Sequence, residues 1–137
     1  MLIGSRAALI RGQAGSGKTH LALALIDAAL TGRLRFARLV ADDRVELTAS
    51  HGRLLVSAPT ALAGLIEVRG VGVRRIAFEA IAVVGLVVEL AAADSERIPA
   101  RPAQIAQVNG IALPRLAVAA GADACAMVLA TLNSEAK

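Results

Sequence analysis

The stretch that decides the fold is Gly12-Gln13-Ala14-Gly15-Ser16-Gly17-Lys18-Thr19. It matches the Walker A pattern in full. A short apolar run at residues 7–10 precedes it, and residues 19–30 after it are rich in Ala and Leu. We therefore predict a strand, a phosphate-binding loop and a helix. Because this helix is apolar nearly all round, we expect it to be buried against a sheet and to end at residues 31–32.

Each residue type in this loop has a chemical purpose. Glycines let backbone N–H groups turn toward the phosphates of a nucleotide, and Lys18 brings a cation to their oxygens. The Thr19 hydroxyl can ligate Mg²⁺, and the helix N-terminus attracts the anion. The whole loop is thus the predicted cofactor-binding site. The motif does not name the reaction, because GTPases, small-molecule kinases, transporter ATPases and recombinases share it.

Composition limits the chain to one domain over residues 1–137. It is 56% hydrophobic but only 1% aromatic, so Ala, Val, Leu and Ile must build the core. This composition excludes a disordered chain, a collagen-like repeat and a disulfide scaffold. It also argues against a nucleic-acid partner bound by base stacking, because such sites need aromatic side chains.

From charge and hydropathy we predict a cytoplasmic protein. The net charge of +4 suits phosphate-bearing or acidic partners, and it is equally consistent with ordinary solubilising charge. The apolar run at residues 80–88 is far below the roughly 20 residues that span a bilayer, so no membrane association is expected. The single Cys125 forms no intrachain disulfide and fits a reducing compartment.

The remaining pattern predicts an α/β fold with a central mixed sheet and flanking helices. We expect strands at residues 36–41, 45–48 and 53–57, and a central strand, buried on both faces, at residues 81–90. A further strand at 112–118 should lie toward a sheet edge because it contains Pro114. Residues 122–134 follow helical spacing. We expect irregular structure at 58–75 and a loop at 97–110.

An acidic pair, Asp42-Asp43, follows the predicted strand at residues 36–41. Adjacent residues of a strand point to opposite faces, so the two carboxylates should differ in role. One could face the γ-phosphate as a base or water-positioner, and the other could hold Mg²⁺ or fix a neighbouring side chain. The alternative is a polar strand end that enters a turn.

A second glycine-containing segment, residues 66–73, combines Glu67, Arg69, Gly70 and Gly72. A mobile loop over a phosphate would use these residue types: a carboxylate on a metal, an arginine on an anionic group and glycines as hinges. Taken alone, the segment is explained better by a solvated charge pair beside a turn.

The three segments 12–19, 40–46 and 66–73 occur in an order that resembles bacterial HPr kinase/phosphorylase, over about residues 7–97. The resemblance implies a P-loop kinase domain related to phosphoenolpyruvate carboxykinase. It implies use of ATP and Mg²⁺ to phosphorylate a seryl hydroxyl of the phosphocarrier protein HPr, as regulation of the phosphotransferase system. It further implies reversal by phosphorolysis and assembly as a homo-oligomer, a hexamer in the family.

The same resemblance implies roles for individual residues. Lys18 is the phosphate-binding lysine, and Thr19 and Glu67 are Mg²⁺ ligands. Asp43 is the base that takes the seryl proton, with Asp42 beside it. Arg97 is similar, in a looser match, to the arginine that steadies the transferring phosphoryl group, a natural task for an arginine in phosphoryl transfer.

The chain also departs from the family pattern. It begins almost at the first strand, and we therefore expect either the short proteobacterial form without an N-terminal domain or a catalytic fragment. The long forms of the family use a histidine before the phosphate loop, and this sequence has none there. The family's C-terminal motif for phosphorolysis is not recognisable either, and its nearest candidate is Pro114-Arg115. Kinase activity is therefore better supported than phosphorylase activity. Two alternatives stay open: another P-loop NTPase or small-molecule kinase, and a nucleotide-binding regulator without turnover.

Overall fold

A mixed β-sheet forms the centre of the computed structural model, which describes residues 1–137. Two helices and ten strands occur in the order β1 Leu2–Ile3, β2 Arg6–Arg11, α1 Lys18–Leu30, β3 Ala37–Arg38, β4 Glu46–Ser50, β5 Arg53–Ser57, β6 Leu65–Val68, β7 Gly72–Arg75, β8 Ile81–Leu90, β9 Ile105–Val108, β10 Ile111–Val118 and α2 Ala124–Asn133. The predicted α/β class is confirmed. Neither helix is long and apolar enough to cross a membrane.

The main sheet has the order β3-β1-β2-β8-β10-β9, and β4 joins it through β5, which pairs with the start of β8. Strands β2, β8 and β10 are parallel, with Val87 of β8 paired to Leu9 on one side and to Arg115 on the other. The carboxyl ends of these three strands therefore meet at one edge of the sheet. The phosphate loop follows β2 at that edge.

Strand β8 is buried on both faces, as its run of branched apolar residues predicted. Leu86 and Val88 pack into one cluster with Leu25 of α1 and Val128 of α2. On the opposite face, Val84, Val87 and Ala82 join a second cluster that includes residues of β5, β9 and β10. Both helices thus cover the same face of the sheet.

Helix α1 begins and ends where the sequence indicates. Gly17 precedes it in a left-handed conformation with φ of +99°, which is open to glycine at no steric cost. At its other end the Thr31 hydroxyl donates a hydrogen bond to the Asp27 carbonyl at 2.9 Å. Leu25 and Ala28 are fully buried under the sheet.

The predicted strand at residues 36–41 is wrong in length. Only Ala37 and Arg38 form a strand, because the neighbouring β1 offers two residues for pairing. Leu39 makes one further bridge to Phe78, and the chain then leaves the sheet. Strand alternation therefore does not reach the acidic pair.

Two predicted loops contain strands, and Pro114 is not at an edge. Residues 58–75 hold the β6–β7 hairpin, whose turn uses Gly70 with φ of +79°. Residues 97–110 hold β9, joined to β10 by Asn109-Gly110, a pair that favours hairpin turns. Pro114 lies inside the sheet, at a position where β10 pairs with Ile105 of β9 and has not yet begun to pair with β8.

The other predicted elements are confirmed. β4 and β5 form a hairpin around His51-Gly52, two residues with positive φ. The Asp123 side chain caps α2 by accepting a hydrogen bond from the Ala126 N–H at 3.0 Å.

Candidate active site

The phosphate loop is shaped by its glycines and by one internal turn. Gly15 has a φ of +82°, and the Ser16 N–H donates to the Gln13 carbonyl at 3.0 Å. A side chain at Gly12 would overlap the Ser16 Oγ and approach Leu90. The close packing of the loop on the strand ends therefore requires glycine at this position.

Lys18 folds back over the loop. Its Nζ donates a hydrogen bond to the Gly12 carbonyl at 2.7 Å and lies 3.8 Å from an Oδ1 of Asp43. The side chain is 25% exposed. The ammonium group is thus held at the junction between the phosphate loop and the acidic pair, where it can reach an anion in the cleft.

The two carboxylates of the acidic pair differ in environment. Asp42 accepts a hydrogen bond from the Glu67 N–H at 2.9 Å, whereas Asp43 is 67% exposed and faces Lys18. The irregular chain path, and not strand alternation, produces this difference. Partial burial raises the pKa of the Asp42 carboxyl, opposed by the Glu67 hydrogen bond and reinforced by the neighbouring Asp43 and Glu67 charges.

One cleft of about 430 Å³ brings most of the predicted residues together. The phosphate loop forms one wall, together with Asp43 beside Lys18. Glu67 and Arg69 of the β6–β7 hairpin form the opposite wall. A guanidinium nitrogen of Arg69 lies 4.0 Å from the position of a Cβ on Gly15, so the hairpin reaches across to the loop. Gly70 and Gly72 lie at the exposed hairpin turn.

Three residues that we did not predict also line this cleft: His20 and Leu23 of α1, and Val68 between Glu67 and Arg69. The available signal was position alone: His20 follows Thr19 directly, in the first turn after the loop.

The structure does not bring Arg97 to the cleft. Arg97 is exposed, and it is absent from the residues that line the cavity. Arg115, by contrast, is held by partners within the protein: it makes two hydrogen bonds of 2.9 Å with Asp94 and lies 3.8 Å from Glu89. Glu89 also pairs with Arg11. The Asp94 partner raises the pKa of Arg115.

The donor set of the cleft fits a nucleotide with Mg²⁺. The cleft offers the Lys18 ammonium, the Thr19 hydroxyl and the Glu67 carboxylate, whereas the buried, unpartnered Ser16 Oγ belongs to an adjoining cavity. No group of three or more His, Cys, Asp and Glu side chains could hold a metal without other ligands. Mg²⁺ in phosphate sites takes one or two protein oxygens and completes its shell with phosphate oxygens and water, and Thr19 and Glu67 can supply the protein oxygens.

Fold and loop together define an α/β protein of the P-loop class. The family model for the HPr Serine kinase C-terminal domain matches residues 3–131, and the chain belongs to that family. The HPr(Ser) kinase/phosphatase from Coxiella burnetii has a similar structure, with a TM-score of 0.74 and 25% identity over 96% of this chain and 88% of that one.

Curated relatives match over a shorter segment. The HPr kinase/phosphorylase of Clostridium tetani is 43% identical over 65 residues, and that of Exiguobacterium sp. is 46% identical over 66 residues. Each match covers 47% of this chain and 19% of the relative. The matching segment thus spans about a fifth of the length of these relatives.

Proposed function

We propose that this domain is a Mg-ATP-dependent serine kinase that phosphorylates an HPr-type phosphocarrier protein. The observation that carries the proposal is the contact between Lys18 and Asp43: a phosphate-binding cation and an exposed carboxylate lie 3.8 Å apart in one cleft. The names of the relatives support HPr as the acceptor. We include a cytoplasmic location, a single domain over residues 1–137 and homo-oligomeric assembly in this proposal.

The phosphates are bound by the loop in this mechanism. Backbone N–H groups of residues 12–19 and the helix N-terminus face the anion, and Lys18 exchanges part of its bond to the Gly12 carbonyl for phosphate oxygens. Thr19 and Glu67 would hold Mg²⁺. When bound, Mg²⁺ neutralises charge on the phosphate oxygens. Arg69 offers a further cation from the opposite wall.

Asp43 acts as the base. Its exposure leaves room for a seryl hydroxyl from another protein, and the Lys18 ammonium lies 3.8 Å away, on the side of the phosphate loop. The seryl oxygen forms a bond to the γ-phosphorus, the bond from that phosphorus to the β–γ bridging oxygen breaks, and Asp43 takes the seryl proton. Asp42 does not face the acceptor in this scheme; it orients Glu67 through the backbone N–H.

Phosphorolysis would run the same steps backward, with Asp43 returning the proton. This direction is less well supported, because the candidate for its C-terminal motif is occupied by other contacts. Arg115, the nearest candidate for a C-terminal motif, is engaged by Asp94 and Glu89. Arg97 is exposed outside the cleft, so its assignment to the transferring phosphoryl group rests on the resemblance alone. The geometry therefore favours the kinase direction.

The test is transfer of γ-labelled phosphate from ATP to purified HPr in the presence of Mg²⁺, followed by phosphoamino-acid analysis. We expect labelled phosphoserine with the unmodified protein and a loss of at least about 100-fold with Lys18→Ala. Lys137→Ala is the matched control, because Lys137 is the only other lysine and lies exposed at the end of the chain. ATP hydrolysis without phosphate transfer to HPr, or tight ATP binding with no transfer, would overturn the proposal.

A further inference from the structure

A second cavity, of about 330 Å³, adjoins the phosphate cleft. Gly17 and His20 line both spaces, so the two cavities meet at the first turn of α1. The far wall of the second cavity is the segment 119–123, which connects β10 to α2, together with the end of β8. The family resemblance and the Walker motif assign no residue of this far wall.

The second cavity lies where ligands bind in open α/β sheets. Such ligands occupy the crevice outside the carboxyl ends of the parallel strands. β2 leads into the phosphate loop, and the adjacent parallel strands β8 and β10 end at Leu90 and Val118, both of which line the second cavity. A ligand with its phosphates on the loop is therefore directed along this edge of the sheet.

The walls of the second cavity suit a flat apolar ring with polar edges. Small side chains dominate the segment 119–122, and the backbone of Ala120 and Gly121 makes no hydrogen bond within the protein. These amide groups are free to meet the polar edge of a ligand. The imidazole of His20 is the only ring on the wall, so apolar contact and backbone hydrogen bonds must replace aromatic stacking.

Two local features support a ligand at this position. Ala91 has a φ of +52°, a left-handed conformation that is rare for a residue with a Cβ and that concentrates at functional sites. The buried Ser16 Oγ, which has no partner in the protein, belongs to the same cavity. Both features lie within the lining of one space.

We infer that the second cavity receives the nucleoside end of the nucleotide, with the base between the 119–122 segment and His20. The inference rests on the proposed function, because it takes the phosphates to lie on the loop. It extends that function by naming the residues that distinguish a nucleoside triphosphate from an inorganic polyphosphate. Its test must therefore separate binding of the base from binding of the phosphates.

Cys125 provides a reporter without any mutation, since it is the single cysteine and lines the second cavity. Calorimetry first gives the Kd values of Mg-ATP and of Mg-pyrophosphate. At about ten times its Kd, ATP should slow alkylation of Cys125 about tenfold, because only free sites react. Pyrophosphate at the same saturation should leave the rate unchanged. Burial raises the pKa of the Cys125 thiol, so the reaction is run at alkaline pH.

A cavity-filling variant gives the second arm. Ala120→Leu should weaken ATP at least about tenfold through steric overlap and leave pyrophosphate affinity unchanged. Ala130→Leu, at an exposed position of α2 outside the cavity, is the matched control. Circular dichroism confirms that both variants fold.

The outcomes separate the two claims. If neither ATP nor pyrophosphate binds the unmodified protein, the proposed function fails and this inference fails with it. If ATP binds but Cys125 reacts at its free rate, or if Ala120→Leu weakens both ligands equally or neither, the inference alone is overturned. ATP-specific protection together with ATP-specific weakening supports it.

Discussion

The two walls of the phosphate cleft are built differently. The phosphate loop connects β2 and α1, and both elements are anchored in the core: Ala8 is 3% exposed and Leu25 is fully buried. The opposite wall is the β6–β7 hairpin, a separate two-stranded sheet whose β7 is exposed at all four residues. One wall is thus a fixed part of the core, and the other is attached to it from outside.

Few contacts hold the hairpin in place. Ile66 is its one fully buried side chain and packs into the cluster with α1. The Glu67 N–H donates to Asp42, which links the hairpin to the segment beside the phosphate loop. A unit with few buried contacts opens at lower free energy than the core does. We propose that the loop presents a preformed phosphate site, while the hairpin adjusts as Glu67 and Arg69 engage the ligand.

The largest expected effect is on stability, and it compares a buried residue of α1 with an exposed residue of the hairpin. Leu25→Ala removes a fully buried side chain of α1 that packs against the sheet, and it should lower the free energy of unfolding by about 2–5 kcal/mol. Val73→Ala removes an exposed side chain of β7 and should change it by less than about 0.5 kcal/mol. Urea unfolding followed by circular dichroism measures both, since the chain has no Trp or Tyr. Equal losses in the two variants would show that the hairpin is as much part of the core as α1.

A smaller effect should separate the chemical tasks of the two walls. Glu67→Gln removes a negative oxygen from the hairpin and should lower Mg²⁺-dependent transfer to HPr about 100-fold, or ~2.7 kcal/mol. The affinity for ATP without Mg²⁺ should stay the same, because the phosphate loop is unchanged. Calorimetry with and without Mg²⁺ checks this, with Glu46→Gln on exposed β4 as control. Loss of metal-free ATP binding in Glu67→Gln would contradict the division of tasks.

The smallest expected effect concerns the link between the walls. The pKa of Asp42 is raised in the folded protein, so its contribution to stability is present below the unfolded pKa and is lost as pH rises through the folded value. Asp42→Asn keeps an oxygen that accepts from the Glu67 N–H and carries no charge. Relative to the unmodified protein, this variant should therefore gain stability as pH rises across the acid range.

Urea unfolding of both proteins from pH ~3 to pH ~7 measures this difference. A stability difference that turns in favour of the unmodified protein as pH rises would mean that the Glu67 hydrogen bond outweighs burial. In that case the link would depend on the charge of Asp42.

The sequence predicted the fixed wall well and the attached wall poorly. The glycines and Lys18 determine their own local geometry, and apolar runs of this length predict β2, α1 and β8 without tertiary information. The sequence does not reveal the hairpin because the three glycines of residues 58–75, at positions 64, 70 and 72, favour irregular structure over strands. The strand at 36–41 was overestimated because its length depends on how many residues the neighbouring β1 offers.

The same limit applies to the candidate site. The residues on each wall could be named from their motifs, but the contact of Lys18 with Asp43 and that of Asp42 with the Glu67 backbone depend on tertiary packing. Arg97 shows the converse: a residue with suitable chemistry in a loose motif match lies exposed outside the cleft. The ion pairs of Arg115 could not be predicted either, because its partners Glu89 and Asp94 come from a different strand and from a loop.

The most direct test of the account is Asp43→Asn in single-turnover transfer of γ-phosphate from ATP to HPr. The change removes the proposed base and keeps the shape of the side chain, while Lys18 and the phosphate loop are untouched. We predict that ATP affinity changes by less than about threefold and that transfer falls by about 10²–10⁴-fold. Transfer within a few-fold of the unmodified protein would contradict the assignment of Asp43 and with it the central claim.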